Sequence, residues 1–593
     1  MYSPLKQKPT DLFFKLVGYF INNFFNYFMS AIGKDKTELE QALYYCRSAF
    51  YTAAFFSLFI NILMITPAIY MLQVYDRVLS SGSESTLLVI TLLLLFLFLS
   101  MGLLEWMRSL ILVRVSTKLE TLLNSRLFNI SFKQALYSGG QQSSGQPLED
   151  LTALRQFLTG NGLFAFFDLP WMPIYIAILF MFHASIGWLA VATAIMLLVI
   201  AVCNERSTSK WLARANILAA QNKAALGQNL MNAEVVESMG MLENLKEKWH
   251  QQINKVLFLQ SKASTNAGFW VALSKVFRMT AQSLVLGLGA YLAIQQEVTP
   301  GVMIAGSILL GRALAPIDLL IGTWKGFVSA RGQYARLNDL YKRVPVEKEV
   351  MKLPDPLGTV SVEQVVVVPP GGKVPVVKNV SFTIEQGKLI GVIGPSGAGK
   401  STLARAILGI WPIYSGAVRL DGADVAQWNR EMLGPFIGYL PQDVELFQGT
   451  ISENIARFGA VDPEKVVAAA SKADVHTFIL RLPQGYDTVI SATGGVLSGG
   501  QRQRIGLARA IYGDTRLIVL DEPNSNLDDQ GEQALMRALA TLKSEGVTVV
   551  IISHRPAVLR VVDQIVLLKE GVLVDFGATA EVLSRLQVQK KIA

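Results

Sequence analysis

Charge is scarce in this chain: 17% of its 593 residues are Asp, Glu, Lys or Arg, against 51% that are hydrophobic. Soluble domains average about a quarter charged residues, so this balance points to a membrane part joined to a soluble part. Cysteine is scarcer still. Cys46 and Cys203 are the only two, both in or near apolar runs, which argues against a disulfide framework and a thiolate metal site. The four histidines, His183, His250, His476 and His554, are scattered and form no ligand spacing. The charge that is present leans positive, +9 net. Nucleic acid is one reading of that excess. Basic cytoplasmic loops beside a bilayer are the reading that fits the apolar runs, with no nucleic-acid partner.

Six such runs lie near residues 49–72, 86–112, 163–182, 186–203, 269–294 and 302–327. Each approaches the roughly 20 residues that cross a bilayer as a helix. The loops around Ser80–Ser83, His183–Gly187 and Gln295–Pro300 are short and carry no Lys or Arg. The segments 113–161 and 204–262 are long and basic, with Arg114, Lys118, Arg126, Lys210, Arg214, Lys246 and Lys248. The positive-inside rule places those segments, both ends of the chain and everything after the sixth run in the cytoplasm. Before the first run, residues 1–38 hold a Phe-rich stretch in which Asp11, Lys15, Gly18, Asn22 and Asn26 fall on one helical stripe. That pattern predicts an amphipathic helix lying in the bilayer interface.

The texture changes after residues 342–357, a charged stretch with three prolines that reads as a linker. Short apolar strands then alternate with helices, so the expected layout is an interfacial segment (1–38), an all-α membrane domain (39–341), the linker, and an α/β domain (358–593). Within the last, Gly394-Pro395-Ser396-Gly397-Ala398-Gly399-Lys400-Ser401 fits the phosphate-binding loop G-x-x-x-x-G-K-[ST]. The apolar run 389–393 precedes it as a strand, and a helix opens with Thr402. Glycines let backbone N–H groups turn toward a polyphosphate, and the helix N-terminus adds its dipole. Lys400 is expected on the terminal phosphates and the Ser401 hydroxyl on Mg²⁺. Further on, the apolar run 517–520 ends in Asp521, suited to the metal ion, and Glu522, suited to polarise an attacking water.

Leu497-Ser498-Gly499-Gly500-Gln501, ahead of a helical run, is the most specific signal. With it the chain resembles the ATP-binding cassette (ABC) family from about residue 45 onward. The resemblance implies ATP and Mg²⁺ as ligands and two cassettes meeting head to tail. The phosphate loop (394–401, with Thr402) of one chain would then face Ser498, Gly499, Gly500 and Gln501 of the other. It implies further that Gln442 senses the metal, that Asp528 belongs to the D-loop, and that His554 contacts the γ-phosphate. Two departures stand out. There is no Phe, Tyr or Trp between Lys342 and Ser381 to stack adenine, and no Glu in 491–494 ahead of the signature.

A narrower resemblance rests on Tyr70–Leu79, Asp168-Leu169-Pro170-Trp171, Asn232–Val236 with Met239-Gly240-Met241, and Trp411-Pro412, and on 438–447 and 521–528. These are similar to the alkaline-protease-exporter type of type I secretion ATPase. That family exports unfolded proteins carrying a C-terminal signal, from the bacterial inner membrane, together with a membrane-fusion protein and an outer-membrane channel. One six-span domain and one cassette per chain imply a homodimer. The alternative is an ABC exporter of lipids or small molecules, which shares every ATPase motif. Finally, Lys275 and Arg278 lie in the fifth run and Arg312 in the sixth. Charges inside a span tend to face a protein interior or a water-filled cavity, so these three are candidates for a cargo path.

Overall fold

The structure, a computed structural model, describes residues 37–139, 145–344, 352–490 and 497–592. Residues 1–36 of the expected interfacial segment, residues 345–351 of the linker and the stretch 491–494 therefore lie outside the described residues. The chain separates into two compact units, one of residues 1–133 and 143–345, the other of residues 346–593 with 134–142.

The first unit is helical. A short helix, Glu38–Tyr45, opens with a capping box: Glu40 N–H donates to Thr37 Oγ1 and Thr37 N–H to Glu40 Oε2, both at 3.3 Å. Six helices long and apolar enough to cross a membrane follow: Arg47–Ser81, Glu84–Tyr137, Gly162–Phe182, Ala184–Met231, Leu242–Ile294 and Pro300–Arg343 (spans 1 to 6). Each contains or overlaps one of the six apolar runs. Spans 2, 4 and 5 hold 48 to 54 residues, far more than a bilayer needs, so they extend well beyond the membrane. The helix Gln146–Thr159 is tied to spans 6 and 4. Asp150 accepts from Arg336 at 2.7 and 2.8 Å, and Glu149 accepts from Lys223 at 2.6 and 2.8 Å.

Two polar arrangements hold the apolar helices together. Span 1 has a π-helical turn at Val74–Val78, which carries Asp76 to the start of span 6. There Thr299 Oγ1 donates to Asp76 Oδ2 at 2.5 Å and Gly301 N–H to Oδ1 at 2.9 Å. A helix start leaves N–H groups unsatisfied and its dipole favours an anion, which accounts for the carboxylate's position. Deeper in the unit, Arg108 of span 2 is buried and donates to Ser57 Oγ (2.8 Å) and Asp168 Oδ1 (3.1 Å). Asn61 Nδ2 donates to the same Asp168 oxygen at 2.9 Å, and Tyr175 Oη to Asn61 O at 2.7 Å. Spans 1, 2 and 3 are thus joined by one charge-compensated network. Burying a charge in an apolar medium is costly unless it is paired in this way.

The second unit is α/β. Its larger sheet has the order β12-β11-β3-β10-β9-β6. Here β3 is Leu389–Ile393, β6 Ile437–Leu440, β9 Leu517–Asp521, β10 Thr548–Ile552, β11 Gln564–Lys569 and β12 Val572–Ala578. All neighbours pair in parallel except β12, which runs antiparallel on the edge. Every residue of β9 and β10 is buried, because helices cover both faces of a parallel sheet. That is why these strands are continuous apolar runs. A second, antiparallel sheet orders β2-β1-β4-β5, from Val377–Ile384, Val360–Val367, Ser415–Leu420 and Ala423–Asp424. A two-stranded ribbon joins β7 (Gly449–Thr450) to β8 (Val489–Ile490).

Candidate nucleotide site

In an open parallel sheet, ligands bind beyond the carboxyl ends of the strands. Four adjacent strands, β3, β10, β9 and β6, end side by side here, with Val392 beside Ile552, Ile552 beside Asp521, and Leu520 beside Leu440. The segments that follow them carry the phosphate loop, Ser553-His554, Asp521-Glu522 and Gln442. Residues up to 160 positions apart in sequence therefore converge on one edge.

The phosphate loop has Gly394, Gly397 and Gly399 at φ +153, +80 and +92°. Side-chain-bearing residues rarely adopt these angles, which is why glycine recurs there. Gly399 caps the helix Lys400–Ile407, so the loop's N–H groups and the helix N-terminus share one cradle with Ser396, Ala398, Ser401 and Thr402. Lys400 is buried, and its Nζ donates to Gly394 O (2.9 Å) and Pro395 O (3.0 Å). Burial pushes its pKa down, partly offset by the nearby Glu522 and Asp521. A polyphosphate would give this ammonium a charged partner in place of two carbonyls.

Asp521 is 1% exposed and neither carboxylate oxygen has a hydrogen-bond partner among the described residues. Burial raises its pKa, and Ser401, Arg405 and Lys400 offset part of that rise. An orphaned buried carboxylate beside the Ser401 hydroxyl is a donor set of hard oxygens, which fits Mg²⁺. Glu522, one residue on, has φ +47°, uncommon for a residue with a side chain. Its Oε2 accepts from Gln442 Nε2 at 3.3 Å, and its Oε1 lies 3.9 Å from His554 Nε2. Gln442, Glu522 and His554 therefore form a row at the strand ends, with Gln442 and His554 exposed and Glu522 half-buried between them.

Ser498 is the N-cap of the helix Gly499–Ile511, in a capping box with Gln501: Ser498 N–H donates to Gln501 Oε1 at 2.8 Å, and Gln501 N–H to Ser498 Oγ at 3.3 Å. Asp528 caps the helix Asp529–Ser544 by accepting from Gly531 N–H at 2.8 Å. On the described β1–β2 turn, Val374 is exposed and no aromatic ring is present, as the sequence requires.

The charged residues in the spans are sorted differently from the sequence expectation. Lys275 is exposed. Arg278 is not a free cation: its Nε lies 2.5 Å from Asp318 Oδ2 of span 6, and Ser274 Oγ donates to the other Asp318 oxygen. Arg312 is exposed and has no hydrogen bond or ion pair to a described residue. Sequence reasoning passed over Arg108 and Asp318, and took Asp168 only as part of a family resemblance, not as a charge within a span. All three sit inside apolar runs, so the rule that selected Arg312 would also have selected them.

The comparisons with known proteins agree across both units. Residues 50–314 match the model of the ABC transporter transmembrane region, and residues 377–525 that of the ABC transporter. The chain is 45% identical over 546 residues to the type I secretion system ATP-binding protein PrsD of Rhizobium meliloti, covering 92% of this chain and 94% of that one. It is 30% identical to the cyclolysin secretion/processing ATP-binding protein CyaB of Bordetella pertussis, covering 88% of this chain and 74% of that one. Among solved structures, a bacterial Atm1-family ABC exporter with ATP bound superposes with a TM-score of 0.78. It covers 91% of this chain and 96% of that one at 23% identity, a likeness of fold.

Proposed function

Because this chain belongs to the ABC transporter family, alongside the type I secretion ATP-binding proteins, we propose that it hydrolyses ATP to export unfolded polypeptides with a C-terminal signal. The membrane is the bacterial inner membrane, with the ATPase unit in the cytoplasm. The observation that carries the ATPase reading is the convergence of Lys400, Asp521, Glu522, Gln442 and His554 at four neighbouring strand ends. The cargo reading rests on the relatives, whose similarity runs through the membrane unit as well as the cassette.

The roles follow from the chemistry. The glycine-rich loop and Lys400 hold the β- and γ-phosphates. Ser401, Asp521 and Gln442 would hold Mg²⁺, which when bound offsets phosphate charge. Glu522 accepts a proton from the attacking water, and His554 donates toward the γ-phosphate. In a homodimer, Ser498, Gly499, Gly500 and Gln501 of the second copy close the site, and Asp528 lies in the D-loop beside that junction. The most apolar window of span 2 has no buried residue within the protomer, so a face remains free for a second copy or for lipid. A membrane-fusion protein and an outer-membrane channel complete the path in this reading.

The test is reconstitution. A polypeptide bearing the C-terminal signal is expected to bind the purified transporter and change its ATPase rate severalfold. Indifference to every such polypeptide, with clear stimulation by lipid, favours export of lipid or small molecules instead.

Arg312 is the residue we assign to the cargo path. An unpaired cation in an apolar span is costly unless it meets water or a ligand. Arg278, neutralised by Asp318, and Lys275 are secondary candidates. With Cys46 and Cys203 replaced by serine, Arg312→Cys is expected to react with a water-soluble thiol reagent, and bound polypeptide to protect it. Reaction with lipid-soluble reagents alone rules the placement out.

A further inference from the structure

The helix Gly499–Ile511 carries the signature at its first turn and Gln503 one turn later. Gln503 is 2% exposed, and both ends of its carboxamide are engaged. Nε2 donates to Glu522 O at 3.3 Å and to Ser525 Oγ at 3.5 Å, while Oε1 accepts from Asn526 N–H at 3.1 Å. One buried side chain thus joins three elements: the signature helix, the backbone of the proposed catalytic carboxylate, and the D-loop.

The backbone it holds is a strained one. Glu522 adopts φ +47°, a conformation that persists only where surrounding contacts determine it. Its N–H donates to Ile552 O at 3.0 Å, which anchors it to β10. Its carbonyl accepts from Ser525 N–H at 3.2 Å and from Gln503. Rotation of that peptide would swing the carboxylate away from Gln442 and His554. The signature helix also sits directly on the D-loop. A Cβ at Gly500 would lie 2.8 Å from Asn526 O, so glycine permits the approach, and the helix start cannot shift toward the loop without moving it.

We propose that Gln503 is a positioning residue that makes the aim of Glu522 depend on the placement of the signature helix in the same chain. The inference rests on Glu522 being the base and on Ser498–Gln501 facing a second copy's nucleotide. On that footing, nucleotide captured at one composite site sets the first turn of the helix, and Gln503 passes that setting to the carboxylate of the other site. Turnover is then cooperative in ATP, and Gln503 is one carrier of the coupling.

The experiment uses the full-length transporter with Gln503→Met, which keeps the length and removes both hydrogen-bonding ends. It also uses Gln503→Glu, which keeps the acceptor for Asn526 N–H and loses the donor to Glu522 O. Thermal melting first establishes that each variant is folded. Both are expected to lower kcat by about tenfold or more, while the dissociation constant for a non-hydrolysable ATP analogue stays within about threefold. The Hill coefficient for ATP is expected to fall toward one. Wild-type kcat and Hill coefficient in both variants, with Glu522→Gln still inactive, overturn this inference alone. A parallel fall of kcat, analogue affinity and melting temperature also overturns it, since that is the signature of a merely structural residue. Normal turnover by Glu522→Gln overturns the underlying assignment instead.

Discussion

Glu522→Gln is expected to keep nucleotide binding and to lose turnover by about 10²- to 10⁴-fold, the usual contribution of a positioned general base. The amide occupies the same volume at the end of β9 and keeps a carbonyl that can accept from Gln442 Nε2, now 3.3 Å from Glu522 Oε2. It cannot accept a proton from water. The phosphate loop follows β3, which β10 separates from β9, so its backbone cradle is untouched, and losing a negative charge near Lys400 gives affinity no reason to fall. Bound nucleotide measured alongside steady-state phosphate release separates the two effects. A purified variant that hydrolyses ATP at near-normal rate sinks the assignment, and His554 or another group must then take the proton.

Complementation between two inactive chains is the second large effect. Lys400→Ala removes the ammonium from the phosphate loop, and Ser498→Arg places a bulky cation at the exposed signature cap. Each variant alone is expected to be inactive as a homodimer. If every site combines the phosphate loop of one copy with the signature of the other, a mixed dimer regains one site in which both parts are intact. Random pairing of equal amounts makes half the dimers mixed, so about a quarter of the wild-type sites return. The ATPase rate of co-expressed, co-purified chains reads this directly. A mixture no more active than either parent shows that the phosphate loop and the signature do not meet across two copies. Sites that must act together return less than a quarter, and that shortfall measures the coupling between the two sites.

Much of this was legible in the residues themselves, for a local reason. A phosphate loop is a run of glycines whose positive φ angles need no partner elsewhere in the chain. The apolar runs declare six helices because a bilayer leaves no other way to satisfy the backbone. The buried strands β9 and β10 show as unbroken apolar runs because both their faces are covered. The charge asymmetry of the loops placed the cassette in the cytoplasm. The signature and the residues 232–241 and 70–79 narrowed the family before any fold was seen.

Other features depended on which elements lie side by side. That Arg278 is neutralised required span 5 to bring it against Asp318, 40 positions later, on span 6. The same holds for Asp76 at the start of span 6, more than 220 positions away, and for Arg108 with Asp168. Gln503 carries no motif signal of its own beyond its place after the signature. Its importance appears only when the helix packs on the D-loop and the carboxamide reaches Glu522. The left-handed backbone of Glu522 is likewise invisible in sequence, since glutamate has no preference for it. The sequence by itself determined the elements, the membrane topology and the chemical groups of the nucleotide site, because each follows from local backbone and solvation preferences. Tertiary structure alone decided which charges are paired and that Arg312 has no such partner among the described residues, because pairing is settled by the packing of distant helices and strands, and no local preference encodes it.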